Sequence, residues 1–337
     1  MTIRTGFLTA GSWVVDRNIT VDAWPGEDML ATVQKVELAG GGPGCNFAVA
    51  MRRLNPDMPV ATQGLIGAGE MGDFLLDVAD AHGIDRRGLQ RTDVAPTQST
   101  DAYLSARTGR RTHILFPGCG PWLTPDHFDF SDVSARFLHL GLPGIHERMD
   151  KAWHDQPNGW VAVLRRARRA GLGCNMELVS APDEVIRKLV RPCLPFLDTL
   201  VVNDSEIGAL AERSTVGIDG TDVQMCFEAA EAVLGMGTME IVVVHFTMGA
   251  ILAGRDGMRL FIPSVAVPQT ELIGSNGAGD AFAAGFFCAH AAGESAETCL
   301  RLAHASAAAS LRAADTYSGI ASATDCLDLA MKWGWRQ

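Results

Sequence analysis

The chain has 337 residues, with 28 Lys and Arg against 39 Asp and Glu for a formal charge of −11, and it is 47% hydrophobic and 20% charged. This is an ordinary globular composition with length for one large domain or two smaller ones, and an acidic excess without a basic run argues against nucleic acid or anionic membrane as the main partner. The 36 glycines follow no collagen-like period, so they call for particular positions.

In chain order, residues 5–15 read as one buried strand ending near Asp16. Residues 18–21 and 32–38 are short strand-like runs. The segment Gly40-Gly-Gly-Pro-Gly-Cys-Asn46 opens a helix over 46–54, followed by a strand at 59–66 and a helix at 71–82. Residues 100–107 and 111–116 form a predicted hairpin turned at Thr108-Gly109-Arg110. The strands near 17–38 and 98–116 are more polar than the others, as expected of a small two-faced sheet appended to a larger core. From about 125 onward strand and helix alternate: 137–142 then 160–170, 172–178 then 183–189, 199–202 then 204–213, and 223–234 then 240–245. That alternation signals a parallel sheet with helices on both faces. A hairpin over 250–253 and 258–262 precedes three helices at 278–292, 296–312 and 323–333. No repeat, low-complexity segment or linker divides the chain. Eight cysteines without metal-type spacing read as reduced thiols, the first residues do not resemble a signal peptide, and no apolar stretch is long enough to span a bilayer, so a soluble cytoplasmic protein is expected.

Three segments carry chemistry. In Gly274-Ser-Asn-Gly-Ala-Gly-Asp280, at the start of a helix, Gly277 and Gly279 permit a tight turn that leaves the N–H groups of Gly277, Ala278 and Gly279 open to an anion, aided by the helix dipole. Asp280 beside such a cradle would repel a phosphate, so a general-base role toward an attacking hydroxyl accounts for it; a first-turn cap is the plain alternative. In Gly41-Gly42-Pro43-Gly44-Cys45-Asn46 the glycines admit a ligand against backbone, Asn46 offers donors and acceptors, and Asp16 could accept from a diol. The alternatives are a capped helix start and an ordinary loop acid. At Asn203-Asp-Ser-Glu206 the spacing puts Asn203 and Glu206 on one helix face, where Glu206 could hold a water of Mg2+ or serve as half of a capping pair.

Together, Asp16, Gly41-Gly42-x-Gly44-x-Asn46, Asn203-x-x-Glu206 and Gly277-Ala278-Gly279-Asp280, in that order, resemble the ribokinase/PfkB family of carbohydrate kinases over essentially the whole chain. The resemblance implies a single three-layer α/β/α domain over 1–337 with a mainly parallel sheet and a small β lid from about 17–38 and 98–116. It implies ATP and Mg2+ as cofactors and phosphorylation of a sugar-like alcohol. By position, Asp280 would be the base, 277–279 the anion hole, Asp16, Gly41, Gly42 and Asn46 the substrate residues, Asn203 the phosphate contact and Glu206 the magnesium-water ligand. Thr247 and Gly249, in His245-Phe-Thr-Met-Gly249, stand for a reduced nucleotide-contacting Thr-x-Gly-x-x-Gly, and His304 falls near the adenine-side helix. Two further departures matter. Gly274 and Ser275 replace the Asp-Thr associated with a monovalent cation, which puts a potassium site in doubt, and Pro43 replaces a lysine between the glycines. A nucleoside acceptor, with Trp24, Tyr103 and His113 as an aromatic wall, and a non-catalytic sugar-binding protein are the rival readings. Exposed edges of a lid sheet predict a homodimer.

Overall fold

The computed structural model describes residues 4–179, 181–274 and 276–337. A five-stranded, wholly parallel sheet has the order β5 (Asp85–Thr92), β4 (Val60–Gly67), β1 (Phe7–Gly11), β8 (Phe137–Gly141) and β9 (Gly173–Met176). A four-stranded sheet continues it with β10 (Thr199–Asn203), β13 (Ile241–Phe246), β14 (Gly249–Gly254) and β15 (Arg259–Pro263). Here β10 and β13 are parallel, whereas the last two strands turn back antiparallel. The sheets meet where Asp198 N donates to the Cys174 carbonyl at 2.8 Å and the Asn175 side chain accepts from Val201 N at 3.2 Å. A side-chain acceptor stands where a regular ladder would use backbone. A two-stranded ribbon, β11 (Val216–Gly217) and β12 (Gly220–Thr221), lies apart.

Side chains alternate along these strands, and each face has its own core. On β10, Leu200 and Val202 pack with one cluster and Val201 with the other; on β13, Val243 parts company with Val242 and Val244 in the same way. The first face holds α1 (Pro43–Leu54), α2 (Glu70–Ala81), α8 (Ala278–Ala291), α9 (Ala296–Ser310) and α10 (Ala323–Trp333). The second holds α3 (Glu147–Asp150), α4 (Gly159–Arg169), α5 (Asp183–Val190), α6 (Asp204–Ala211) and α7 (Val223–Gly235). The expected three-layer α/β/α architecture results. Local signals fix the helix ends: Asn158 caps α4 by accepting from Val161 N, and Arg166, Arg168 and Arg169 fill its last turn against the negative dipole end.

A separate four-stranded sheet has the order β3 (Val33–Gly41), β2 (Val14–Val21), β6 (Ser99–Ser105) and β7 (Arg111–Phe116). β2 and β6 are parallel, and the outer pairs are antiparallel. The structure differs from the sequence reading in several elements: α3 and the ribbon have no counterpart in it, and α1 begins at Pro43 with Gly42 as its N-cap, not at Asn46. The strand expected over 5–15 is two: Gly11 has φ +115 and lies against the Gly141 carbonyl with no room for a Cβ, and the chain then turns through Ser12 and Trp13 into the side sheet. β5 carries Asp85, Arg86, Arg87, Gln90 and Arg91 with Leu89 alone buried, so as a sheet edge it lacks the apolar run by which strands are read. All eight cysteines are buried and unpaired, and among the described residues no helix is long and apolar enough to cross a membrane.

Candidate active site

The carboxyl ends of the central strands run into Ser12, Glu177, Asn203 and the turn after Phe246, which is where ligands bind in open α/β sheets. α8 begins there. Gly277 is its N-cap, with φ +71, and a Cβ on it would lie 2.3 Å from Thr316 Cβ, so no side chain fits. Among the described residues the N–H groups of Gly277, Ala278 and Gly279 pair with no carbonyl or side chain, as expected of the first turn of a helix.

Asp280 follows at once, and its neighbours come from distant parts of the chain. Asn46, in the first turn of α1, donates through Nδ2 to Asp280 Oδ2 at 3.1 Å. Its amide is oriented by Thr316, whose hydroxyl donates to Asn46 Oδ1 at 2.6 Å. Asp16 on β2 is buried and packs over Gly41, where a Cβ would come within 2.3 Å of the carboxylate. Gly41 is therefore dictated by the close approach of Asp16. Gly42 precedes the helix with φ +77 against the Ser12 carbonyl. Asp16, Gly41, Gly42, Asn46 and Asp280, predicted from separate segments, are thus brought to one place.

This group is rich in acid. Burial, then Glu177, push Asp280 up to about 7, against the lowering effect of the Asn46 hydrogen bond. Burial and Asp280 bring Asp16 to about 7 as well. Asp280 keeps partial exposure, so an acceptor hydroxyl can reach it. Sequence reasoning missed three neighbours. Glu177, just beyond β9, is pushed up to about 8 by burial. His139 on β8 stacks on Phe47 with ring centroids 4.0 Å apart and is lowered to about 4 by burial. Its Nε2 lies 3.3 Å from Glu177 Oε2 without the alignment of a hydrogen bond, and both atoms lack other partners. Burial favours the neutral form of both groups. Thr316 completes the set. For Glu177 a signal existed, since an acid closing an apolar strand is the same pattern that marked Asp16. Thr316 and His139 gave none.

Asn203 and Glu206 form a reciprocal capping box on α6: Asn203 Oδ1 accepts from Glu206 N at 2.9 Å, and Glu206 Oε2 accepts from Asn203 N at 3.0 Å. Glu206 is buried and raised to about 7, first by burial and against its bond to Asn203 N, with Glu177 adding to the rise. Among the described residues no three His, Cys, Asp or Glu side chains converge as a closed metal site.

On the other side of residues 278–279 lies a cavity of about 870 Å³. Asn203, Thr247 and His304 line it, as do His245, Phe282 and, from the side sheet, Arg111 and His113. His304 Nε2 donates to the Ile262 carbonyl at 3.2 Å and the ring stands edge-on to Phe282, while burial lowers it to about 4; the neutral ring keeps Nδ1 as an acceptor. Gly249 is not in the lining. It sits where β14 passes β15 too closely for a Cβ, which would lie 2.7 Å from the Ile262 carbonyl. The expected aromatic wall also divides. By strand alternation Tyr103 is on the face opposite Asp16, where it packs edge-on with Trp24, and only His113 shares the face of Asp16. Ser275 lies outside the described residues.

An open α/β sheet whose carboxyl edge carries a helix N-terminus, a buried carboxyl group beside it and a cavity of about 870 Å³ has the form of a small-molecule site. The family model described as "pfkB family carbohydrate kinase" matches residues 5–323, and the chain belongs to that family, whose members are phosphotransferases with an alcohol acceptor. The chain is 25% identical over 279 residues to the adenosine kinase of Schizosaccharomyces pombe, covering 80% of this chain and 78% of that protein. It is also 25% identical over 338 residues to the ribokinase of Haemophilus influenzae, covering 97% and 98%. The structure of Arabidopsis thaliana ribokinase complexed with ribose and ATP superposes with a TM-score of 0.76 at 18% identity, over 97% of this chain and 99% of that one.

Proposed function

We propose that this carbohydrate kinase transfers the γ-phosphoryl group of ATP in line to a primary hydroxyl of a sugar or sugar-like acceptor, with Asp280 as general base and the N–H groups of 277–279 as the anion hole. The observation that carries the reading is the Asn46 to Asp280 hydrogen bond beside the N-terminus of α8. Asp16 and Asn46 hold the acceptor against the backbone of Gly41 and Gly42. Asp280, in its ionised form, takes the hydroxyl proton as the new O–P bond forms. The 277–279 amides meet the charge on the transferred group without reorganising, because the helix fixes them. Asn203, Thr247 and His304 serve the nucleotide side of the site. Glu206 and Glu177 suit Mg2+ held through water: they are two neighbouring buried carboxyl groups, Glu177 Oε2 lacks a partner, and this hard cation takes oxygen donors and keeps several waters. When bound, Mg2+ supplies positive charge to the phosphates.

The side sheet acts as a lid over the acceptor, limiting attack by water. Its outer face leaves Val36, Leu38, Ile114 and Phe116 about half exposed, which supports pairing of two chains there. Eight free thiols suit a reducing, cytoplasmic setting. A nucleoside acceptor draws support from the adenosine kinases among the relatives. ADP release measured with ribose, other sugars, sugar acids and nucleosides, each with MgATP, tests the reading. A strong preference for nucleosides moves it to the second acceptor class, and calorimetry that finds sugar binding without ATP binding refutes catalysis.

A further inference from the structure

Arg111 belongs to none of the predicted sites. It begins β7 on the lid face that carries Asp16, since Arg111 pairs with Leu104 and Leu104 with Thr20, four residues along β2 from Asp16. From there it reaches across to the loop after α9, where Nη1 donates to the Ala314 carbonyl at 3.3 Å. The other arm of the guanidinium lies against Gly274: a Cβ on Gly274 would be 2.6 Å from Nη2 and 2.7 Å from the Ala313 carbonyl. Guanidinium, Gly274 and two loop carbonyls thus form one packed group, and an Asp at 274 would need the space the guanidinium occupies.

That loop holds the rest of the site together. Leu311 O accepts from the N–H groups of Ile273 and Gly274, Thr316 orients Asn46 and packs on Gly277, and the Tyr317 hydroxyl accepts from Gly40 N at 3.0 Å. Burial alone lowers Arg111, with no carboxylate acting on it. Arginine keeps its proton even so. A half-buried cation of this kind is costly unless negative groups face it. The carbonyl of Ala314 is one such group, and the cavity that Arg111 lines with Asn276, Ala278 and Gly279 is where a second, anionic one would come.

We propose that Arg111 is a positioning residue: a lid-borne guanidinium that braces the loop behind the anion hole and supplies its fixed positive charge, so that the hole is complete only while the lid is docked and turnover needs no added monovalent cation. The proposal rests on the reading of 277–279 as the anion hole. It accounts for Gly274, which leaves the guanidinium both its room and its unneutralised charge.

The test compares ADP release, with ribose or adenosine as acceptor, in potassium, sodium and tetramethylammonium chloride. The wild-type rate should agree among the three salts within about twofold. Arg111→Ala should fold with an unchanged melting profile, lose roughly 10- to 100-fold in kcat with a smaller change in acceptor KM, and recover in part with added guanidinium or potassium. Amide exchange at Gly274 and at 276–279 should quicken in this variant, a readout that does not depend on turnover. Arg111→Lys, which keeps the charge without the fork, should lie between. Wild-type turnover that rises severalfold in potassium overturns the proposal, as does Arg111→Ala with the wild-type rate and exchange. Asp280→Asn separates this from the underlying reading. An inactive Asp280→Asn beside an unaffected Arg111→Ala sinks only the role of Arg111, whereas retained turnover in Asp280→Asn removes the site itself.

Discussion

Replacing Asp280 with Asn should move activity and stability in opposite directions. The side chain keeps its shape, and Asn46 Nδ2, now 3.1 Å from Asp280 Oδ2, retains an acceptor. What disappears is an ionisable group held at about 7 in the folded protein against 3.8 for an ordinary Asp. Below pH 4 it is protonated whether the chain is folded or not, and its contribution is fully present. As pH rises to about 7 the unfolded chain ionises freely while burial and Glu177 resist ionisation in the native state, so stability drains away. The gap corresponds to about 4 kcal/mol at about 1.4 kcal/mol per pKa unit, an upper bound because Asp16 and Glu177 titrate with it. Asp280→Asn should therefore unfold several degrees higher than wild type at pH 8.5, with only about a quarter of that advantage left at pH 4.5. Turnover should fall by roughly 10²- to 10⁴-fold, the usual contribution of a general base. Calorimetric scans at the two pH values and a coupled ADP assay on the same preparation check both. A variant that turns over substantially, or one that melts lower than wild type at pH 8.5, refutes the reasoning.

The wild-type rate should climb with pH through about 7, as Asp280 and Asp16 lose their protons, and the residual rate of Asp280→Asn should lack the part of that limb owed to Asp280; a flat profile from pH 6 to 8.5 contradicts this. Gly41→Ala brings a methyl group within 2.3 Å of the Asp16 carboxylate, so acceptor KM should rise by at least about tenfold while ATP binding by calorimetry stays unchanged. Thr316→Val leaves Asn46 Oδ1 without its 2.6 Å donor and the amide free to rotate away from Asp280. A loss of about 1–3 kcal/mol is expected from the broken buried hydrogen bond, read as an up to roughly hundredfold drop in kcat/KM for the acceptor. Unchanged kcat/KM would show that Thr316 does not orient the amide.

How far the site could be read in advance depended on where its chemistry is written. Gly277, Gly279 and Asp280 are contiguous, so the cradle and its base are a local pattern, and the strand-to-helix alternation after residue 125 is local too. The turn at Ser12 and Trp13 is set by β1 packing against β8, more than 120 residues away, and β5 is polar because it is an edge. The deeper part of the site is of this second kind. Arg111 meets Gly274 and Ala314, Thr316 meets Asn46, and Tyr317 meets Gly40 across separations of more than 160 residues. A substitution such as Gly274 in the phosphate loop looks like a simple loss until the partner that fills its space is known. The composition carries the same lesson. On the proposed reading, a chain of charge −11 would receive a nucleotide through backbone N–H groups, a cation brought with the nucleotide and one guanidinium from a neighbouring sheet. Only the guanidinium enters the net charge, as one of 28 Lys and Arg, and the balance does not reveal which one it is.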